Sequence, residues 1–339
     1  MNTCLLSDVA NRMVAPGRGI LAADESTGTI GNRLTSIGVE NTEDHRRAWR
    51  ETLFTTQGIE EQISGVILYD ETIRQNGSDG KPLIDTLTAL GIMPGIKVDK
   101  STSPLENAPG ELFTSGLDGL RERLVEYREM GATFAKWRAV INIAQGLPTP
   151  RAIEVNSHAL ARYAGLCQEA DIVPIVEPEV IMDGDHTIEQ CYQATEATLN
   201  QVFTDLIDSG VYLEGMVLKP NMVISGSDAT NRSGAAEVAE QTITCFLRTV
   251  PAAVGGIAFL SGGQGDKEAS VNLDAINRSA LDRPWEMTFS YGRGLQAAPL
   301  AHWGQDTSDV TGTQAVFAKR ANIIAAARRG EYTSDMEQG

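Results

Sequence analysis

Cysteine is scarce and scattered: Cys4, Cys167, Cys191 and Cys245 stand far apart, with no close Cys or His neighbours. They build neither a disulfide framework nor a zinc site, and they are expected to be buried thiols. Histidine is as thin: His45, His158, His186 and His302 show no paired spacing, so no catalytic metal is expected. Long apolar runs are missing too. Nothing approaches the roughly 18 consecutive apolar residues of a membrane span, and residues 1–19 lack the basic stretch and apolar block of a secretory signal. The expectation is a soluble, cytoplasmic protein. Positive charge is short as well, with 28 Lys and Arg against 45 Asp and Glu, a net charge of −17. Nucleic acid and anionic membranes are therefore not expected partners, because either needs a cationic patch that displaces counterions. Any phosphate must be held by a local pocket of cations and backbone N–H groups set against this field.

What is present begins with Lys219, which ends the apolar run Gly215-Met216-Val217-Leu218 and precedes Pro220-Asn221. A lysine held away from water beside a second cation favours the neutral amine, which can attack a carbonyl and form a Schiff base. Taken alone, a lysine leaving a strand end for solvent is the plainer alternative. Lys219 is not alone.

Short β-rich runs that end in polar residues recur along the chain: Gly19–Ser26, Ile63–Asp70, Met93–Lys100, Thr133–Val140, Ile172–Glu179, Gly215–Met222, Gly256–Gly263 and Met287–Arg293. Successive starts lie 30 to 44 residues apart, the length of a strand with a helix. Helical periodicity fills the gaps, as in Ile188, Cys191, Tyr192, Thr195, Leu199, Val202, Phe203 and Leu206, and again over 153–170. No Pro/Gly/Ser linker divides the chain, so the pattern predicts an α/β fold with a single (β/α)8 TIM barrel over 19–329. Residues 1–18 carry Leu5, Leu6, Val9, Met13 and Val14 at helical spacing and predict an N-terminal helix; 313–328 predict a closing helix. The polar stretch 330–339 is expected to be a short flexible tail.

In such barrels the strand C-termini line the active site, and here the charges gather at that end. The strands supply Asp24, Lys97, Lys136 with Arg138, Glu177 with Glu179, Lys219 and Arg293. Residues two apart share a strand face, so each of the two pairs can point inward together. Ion pairing could explain any one of these charges, but so many at one end cost more desolvation than stability alone repays. Glu25 is expected to be a loop or surface carboxylate, and Asp99 and Lys100 to face outward. Ser261-Gly262-Gly263 and Tyr291-Gly292-Arg293-Gly294 follow the seventh and eighth strands, where barrels often bind phosphate on backbone N–H groups and an arginine.

The segments GILAADES, IKVDK, FAKWR, IVPIVEPE, LKPNM, LSGGQ and FSYGR, in this order from residue 19 to 293, resemble the class I fructose-bisphosphate aldolases. The resemblance implies reversible cleavage of fructose 1,6-bisphosphate to dihydroxyacetone phosphate and glyceraldehyde 3-phosphate, in glycolysis and gluconeogenesis, through a lysine imine and without metal or other cofactor. On matching positions it implies Lys219 as nucleophile, Lys136 as its cationic neighbour, Glu177 as general acid tuned by Glu179, and Asp24 as the base for the C4 hydroxyl. It implies Arg138 as a substrate-orienting group; Ser261, Gly262, Gly292 and Arg293 at the C1 phosphate; and Lys97, Ser26, Thr29 and Arg33 at the C6 phosphate. A homotetramer is implied in the same way. Animal members have lysine at Asn32, serine at Thr29 and a longer tail ending in a tyrosine implicated in enamine protonation, whereas this sequence ends soon after Tyr332. The alternatives are a related Schiff-base or transaldolase-like enzyme acting on a singly phosphorylated sugar, and a noncatalytic phosphosugar-binding scaffold.

Overall fold

The computed structural model describes residues 1–338; Gly339, within the tail expected over 330–339, lies outside the described residues. Its strands, in chain order, are β1 (Gly19–Ala23), β2 (Ile63–Leu68), β3 (Met93–Lys97), β4 (Thr102–Pro104), β5 (Leu112–Thr114), β6 (Phe134–Ile141), β7 (Val173–Val180), β8 (Val217–Leu218), β9 (Ile257–Phe259) and β10 (Met287–Tyr291). All but β4 and β5 pair in parallel and close into an eight-stranded barrel in the order β1-β10-β9-β8-β7-β6-β3-β2. This is the expected (β/α)8 fold. Each predicted segment holds one barrel strand, though several strands stop early. β8 has only two residues, because Pro220 has no N–H to donate and the chain turns out of the ladder there.

The helices form where the sequence starts them well. Thr149 caps Pro150–Glu169, with proline at the first position, and Thr187 with Gln190 makes a reciprocal capping box at the head of Ile188–Asp208. Their apolar stripes cover the outer faces of the strands.

Strand residues alternate between that outer layer and the barrel interior. Ile20, Ala22, Ile67, Met93, Phe134, Val173, Ile175, Val217 and Ala258 pack inside, together with Leu6, Val9, Ala10 and Met13 of the N-terminal helix Thr3–Met13. That helix plugs the N-terminal end of the barrel. Phe134 fills the space left by the missing side chains of its neighbours: a Cβ on Gly95 would overlap its ring, and one on Gly65 would lie 2.9 Å from it. The opposite end of the interior is left open.

Two features lie outside the sequence expectations. β4 and β5 form an antiparallel hairpin over that open end, with Thr102 paired to Thr114. The final residues also make definite contacts: Tyr332 is buried and its N–H donates to Asp274 Oδ1 at 2.9 Å, while Arg320 donates to Glu337 at 2.9 Å. Three cysteines are buried as expected. Cys4 is exposed, because it sits on the outward face of the plug helix.

Candidate active site

Strand parity decides which side chains reach the open end. Val173 and Ile175 point inward from β7, so Glu177 and Glu179 follow them; Val217 points inward from β8, so Lys219 does too. The register pairs Ile175 with Val217, which sets Glu177 opposite Lys219 two residues on. From β6, Phe134 leads to Lys136 and Arg138, while Ile20 and Ala22 of β1 lead to Asp24. These residues surround a cavity of ≈ 580 Å³ at the strand C-termini. Every candidate site residue from the sequence lines it: Asp24, Ser26, Thr29, Arg33, Lys97, Lys136, Arg138, Glu177, Glu179, Lys219, Ser261, Gly262, Gly292 and Arg293.

Lys219 is 4% exposed, and its Nζ lies 3.0 Å from Glu177 Oε1. No other carboxylate is within ion-pair distance among the described residues. Lys136, equally buried, is hemmed by Asp24 Oδ2 at 2.8 Å, Glu177 Oε2 at 3.3 Å and Asp99 Oδ2 at 3.9 Å. Burial works against the Lys136 ammonium, but Asp24, Glu177 and Asp99 outweigh it and raise its pKa. Lys136 therefore stays an ammonium. Burial would likewise raise Asp24, yet the charge of Lys136, with Lys219 and Lys97 behind it, holds Asp24 down at about 2. Arg138 pairs with Glu179, and that pair outweighs burial to raise the guanidinium pKa.

Proline and asparagine after Lys219 fix it in place. The Lys219 N–H donates to Val176 O at 2.8 Å, and Pro220 O accepts from Leu260 N at 3.1 Å. Asn221 is 1% exposed; its Oδ1 accepts from Val180 N at 3.2 Å and its Nδ2 donates to Thr195 Oγ1 at 3.0 Å. It ties the end of β7 to the strand that carries the lysine. Asn221 was not among the expected site residues; its position beside Lys219, at the end of a buried run, was the available signal.

Of the residues left out of the site by the sequence reading, Asp99 corrects the outward-facing expectation, while Glu25 lies in a loop as expected but is buried rather than on the surface. Asp99 is 9% exposed and faces inward, where its Oδ1 accepts from Lys97 Nζ at 2.5 Å. Its parity with Lys97, two residues before it, marks that face. Glu25 is 8% exposed; it pairs with Arg33 and accepts from Gln296 Nε2 at 2.9 Å. A hydrogen-bonded neighbour 271 residues away leaves no trace in local sequence. Lys100 is exposed, as expected.

The two glycine segments meet on the opposite wall. A Cβ on Gly262 would sit 2.9 Å from Glu179 Oε1, and one on Gly294 would sit 3.4 Å from Ser261 Oγ. Gly292 heads the helix Arg293–Trp303 with no side-chain cap; the Leu295 N–H donates to Gly292 O at 3.2 Å, and the N–H groups of Arg293 and Gly294 are left to meet an anion. Arg293 is exposed and makes no ion pair among the described residues. At the other side, Ser26 caps Thr27–Ser36 and its Oγ lies 3.1 Å from Thr29 Oγ1. Among the described residues, no group of three or more His, Cys, Asp or Glu side chains is arranged to hold a metal ion.

Comparison with known proteins agrees with this geometry. Residues 5–339 match the family model described as fructose-bisphosphate aldolase class-I. The chain is 53% identical over 328 residues to the "Probable fructose-bisphosphate aldolase class 1" of Xanthomonas axonopodis pv. citri, covering 96% of this chain and 98% of that one. It is 51% identical over 330 residues to "Fructose-bisphosphate aldolase B" of Gallus gallus, covering 97% and 91%. A solved structure of the Plasmodium falciparum fructose-bisphosphate aldolase, in complex with TRAP and a small-molecule inhibitor, superposes with a TM-score of 0.96 at 45% identity, covering 98% of this chain and 96% of that one. The chain belongs to the class I fructose-bisphosphate aldolase family.

Proposed function

We propose that this protein cleaves fructose 1,6-bisphosphate reversibly to dihydroxyacetone phosphate and glyceraldehyde 3-phosphate, in glycolysis and gluconeogenesis, through an imine on Lys219. One observation carries the choice of lysine. Lys136 is surrounded by three carboxylates and is a fixed ammonium, whereas Lys219 has the single partner Glu177. A nucleophile has to shed its proton, and Glu177 Oε1 at 3.0 Å is in place to take it.

Lys219 then attacks the C2 carbonyl of the open-chain sugar and gives a carbinolamine. Glu177 returns the proton to the C2 hydroxyl, which leaves as water, and the iminium forms. Asp24, an unprotonated carboxylate at neutral pH, takes the proton of the C4 hydroxyl. The C3–C4 bond breaks, its electron pair runs into the iminium as an enamine, and glyceraldehyde 3-phosphate departs. Protonation at C3 and hydrolysis release dihydroxyacetone phosphate and restore the amine. Arg138 and Glu179 flank these groups and orient the substrate and Glu177.

The open first turn at Gly292, the unpaired Arg293, and Ser261 with Gly262 suit the C1 phosphate. Lys97 and Ser26, which also line a second cavity that Gly292 and Arg293 do not, suit the C6 phosphate with Thr29, and Arg33, whose Nη2 lies 4.0 Å from where a Cβ on Gly292 would sit, stands between the two phosphate positions. The catalytic unit is the barrel, 19–329. Family membership supports a homotetramer. A cytoplasmic protein is compatible with the finding that, among the described residues, no helix is long and apolar enough to cross a membrane. A coupled assay for triose phosphate release tests the assignment: turnover is expected in the wild type and is abolished in Lys219→Met. Full turnover in that variant would contradict it.

A further inference from the structure

Three non-glycine residues among those described hold a left-handed backbone: Asn107, Asp171 and Ser101. Asparagine and aspartate tolerate that region because their side chains bond locally to the backbone; serine does so far less readily. Ser101, at φ +77°, is therefore the anomaly, and it stands on the wall of the active-site cavity. The β4–β5 hairpin holds it there. Lys100 N donates to Ser115 O at 2.8 Å, Ser115 N donates to Ser101 O at 3.0 Å, and Ser101 N faces Asp99 Oδ1 at 3.5 Å. A glycine would take this backbone freely, so the side chain is kept against the local preference.

The donors proposed for the C6 phosphate also hold internal partners, which a phosphate would have to share. Lys97 is bonded to Asp99, Arg33 is paired with Glu25, and Ser26 and Thr29 bond each other in the helix cap. The Ser101 hydroxyl makes no hydrogen bond among the described residues. With Ser26, Lys97 and Asp99 it forms the rib between the active-site cavity and a second cavity of ≈ 440 Å³. That places it at the end of the site where Lys97 and Ser26 stand, away from Gly292 and Arg293.

We propose that Ser101 is a specificity-determining residue that donates a hydrogen bond to the distal phosphate of the sugar, so that the hairpin helps to select doubly phosphorylated substrates. This rests on the aldolase assignment above and deepens it. A hydroxyl bonded to a phosphate oxygen corresponds to about a ten-fold preference. The test compares kcat/KM for fructose 1,6-bisphosphate with that for fructose 1-phosphate in the wild type, Ser101→Gly and Ser101→Ala, with melting midpoints as a folding control. Both variants are expected to lower the ratio about ten-fold, mainly through KM for the bisphosphate. The midpoint of Ser101→Gly is not expected to fall, since glycine accepts the left-handed backbone. A ratio within two-fold of wild type in both variants overturns the proposal, as does a loss in Ser101→Gly alone, which would assign the effect to the backbone rather than the hydroxyl. A wild type inactive on both sugars would instead strike the aldolase assignment.

Discussion

The buried Lys136 ammonium stands among three carboxylates, Asp24, Glu177 and Asp99, with Asp24 nearest. Lys136 holds the Asp24 pKa down at about 2, below its ordinary 3.8, which is the ionised state that the proposed mechanism requires of its base. Asp24→Ala should therefore still form the imine with substrate yet cleave the C3–C4 bond about 10²–10⁴-fold more slowly. Single-turnover measurement separates the two steps, and normal cleavage would remove Asp24 from the mechanism. The same depression links Asp24 to stability. A carboxylate whose folded pKa lies below its unfolded value stabilises the protein above the unfolded value and loses that contribution as pH falls through the folded one. Asp24→Asn should then be less stable than wild type by about 2 kcal/mol at neutral pH, with the gap closing between about pH 4 and about pH 2. Urea unfolding across that range checks it; a gap independent of pH would mean that the ion pair contributes nothing.

The strands carry the site because their alternation puts apolar residues at the plugged end and charged ones at the open end of the same inward face. The interior depends on Phe134 lying where Gly95 and Gly65 have no side chains. Gly95→Ala should overpack this layer and destabilise the protein by about 1–3 kcal/mol, displacing Lys97 two residues on and lowering activity beyond the loss of folded protein. Thermal unfolding with an assay per folded molecule tests this; an unchanged midpoint would mean that the ring moves aside freely. Leu6→Ala in the plug helix, a fully buried position remote from the cavity, should cost about 2–5 kcal/mol in stability while per-molecule activity is retained. Denaturant unfolding measures the first quantity, and a loss of activity in the folded variant would make the plug part of the site. Much of this was legible in the chain. The eight strand segments, and the shared inward parity of Lys136 with Arg138 and of Glu177 with Glu179, follow from period-two patterning. The hairpin was not legible, because Thr102–Pro104 is a short, largely exposed segment with no buried face to impose alternation. Asp99 was passed over although its parity with Lys97 was visible; Glu25 is buried by Gln296 and Arg50, which only the closed barrel brings to it.

At the scale of the molecule, a net charge of −17 surrounds a cavity that must hold two phosphates. The site answers with Lys97, Lys136, Arg138, Lys219 and Arg293 gathered at one end of the barrel, which the chemistry also requires. If the protein assembles as its family suggests, sedimentation equilibrium should give four times the chain mass; a monomer would confine the account to a self-sufficient barrel. The claim on which the rest turns is that Lys219 forms the imine. Borohydride reduction in the presence of dihydroxyacetone phosphate, followed by peptide mass mapping, tests it most directly. The account predicts a substrate-derived adduct on Lys219 alone. An adduct on Lys136, or none while turnover stays full and becomes sensitive to chelators, would contradict it.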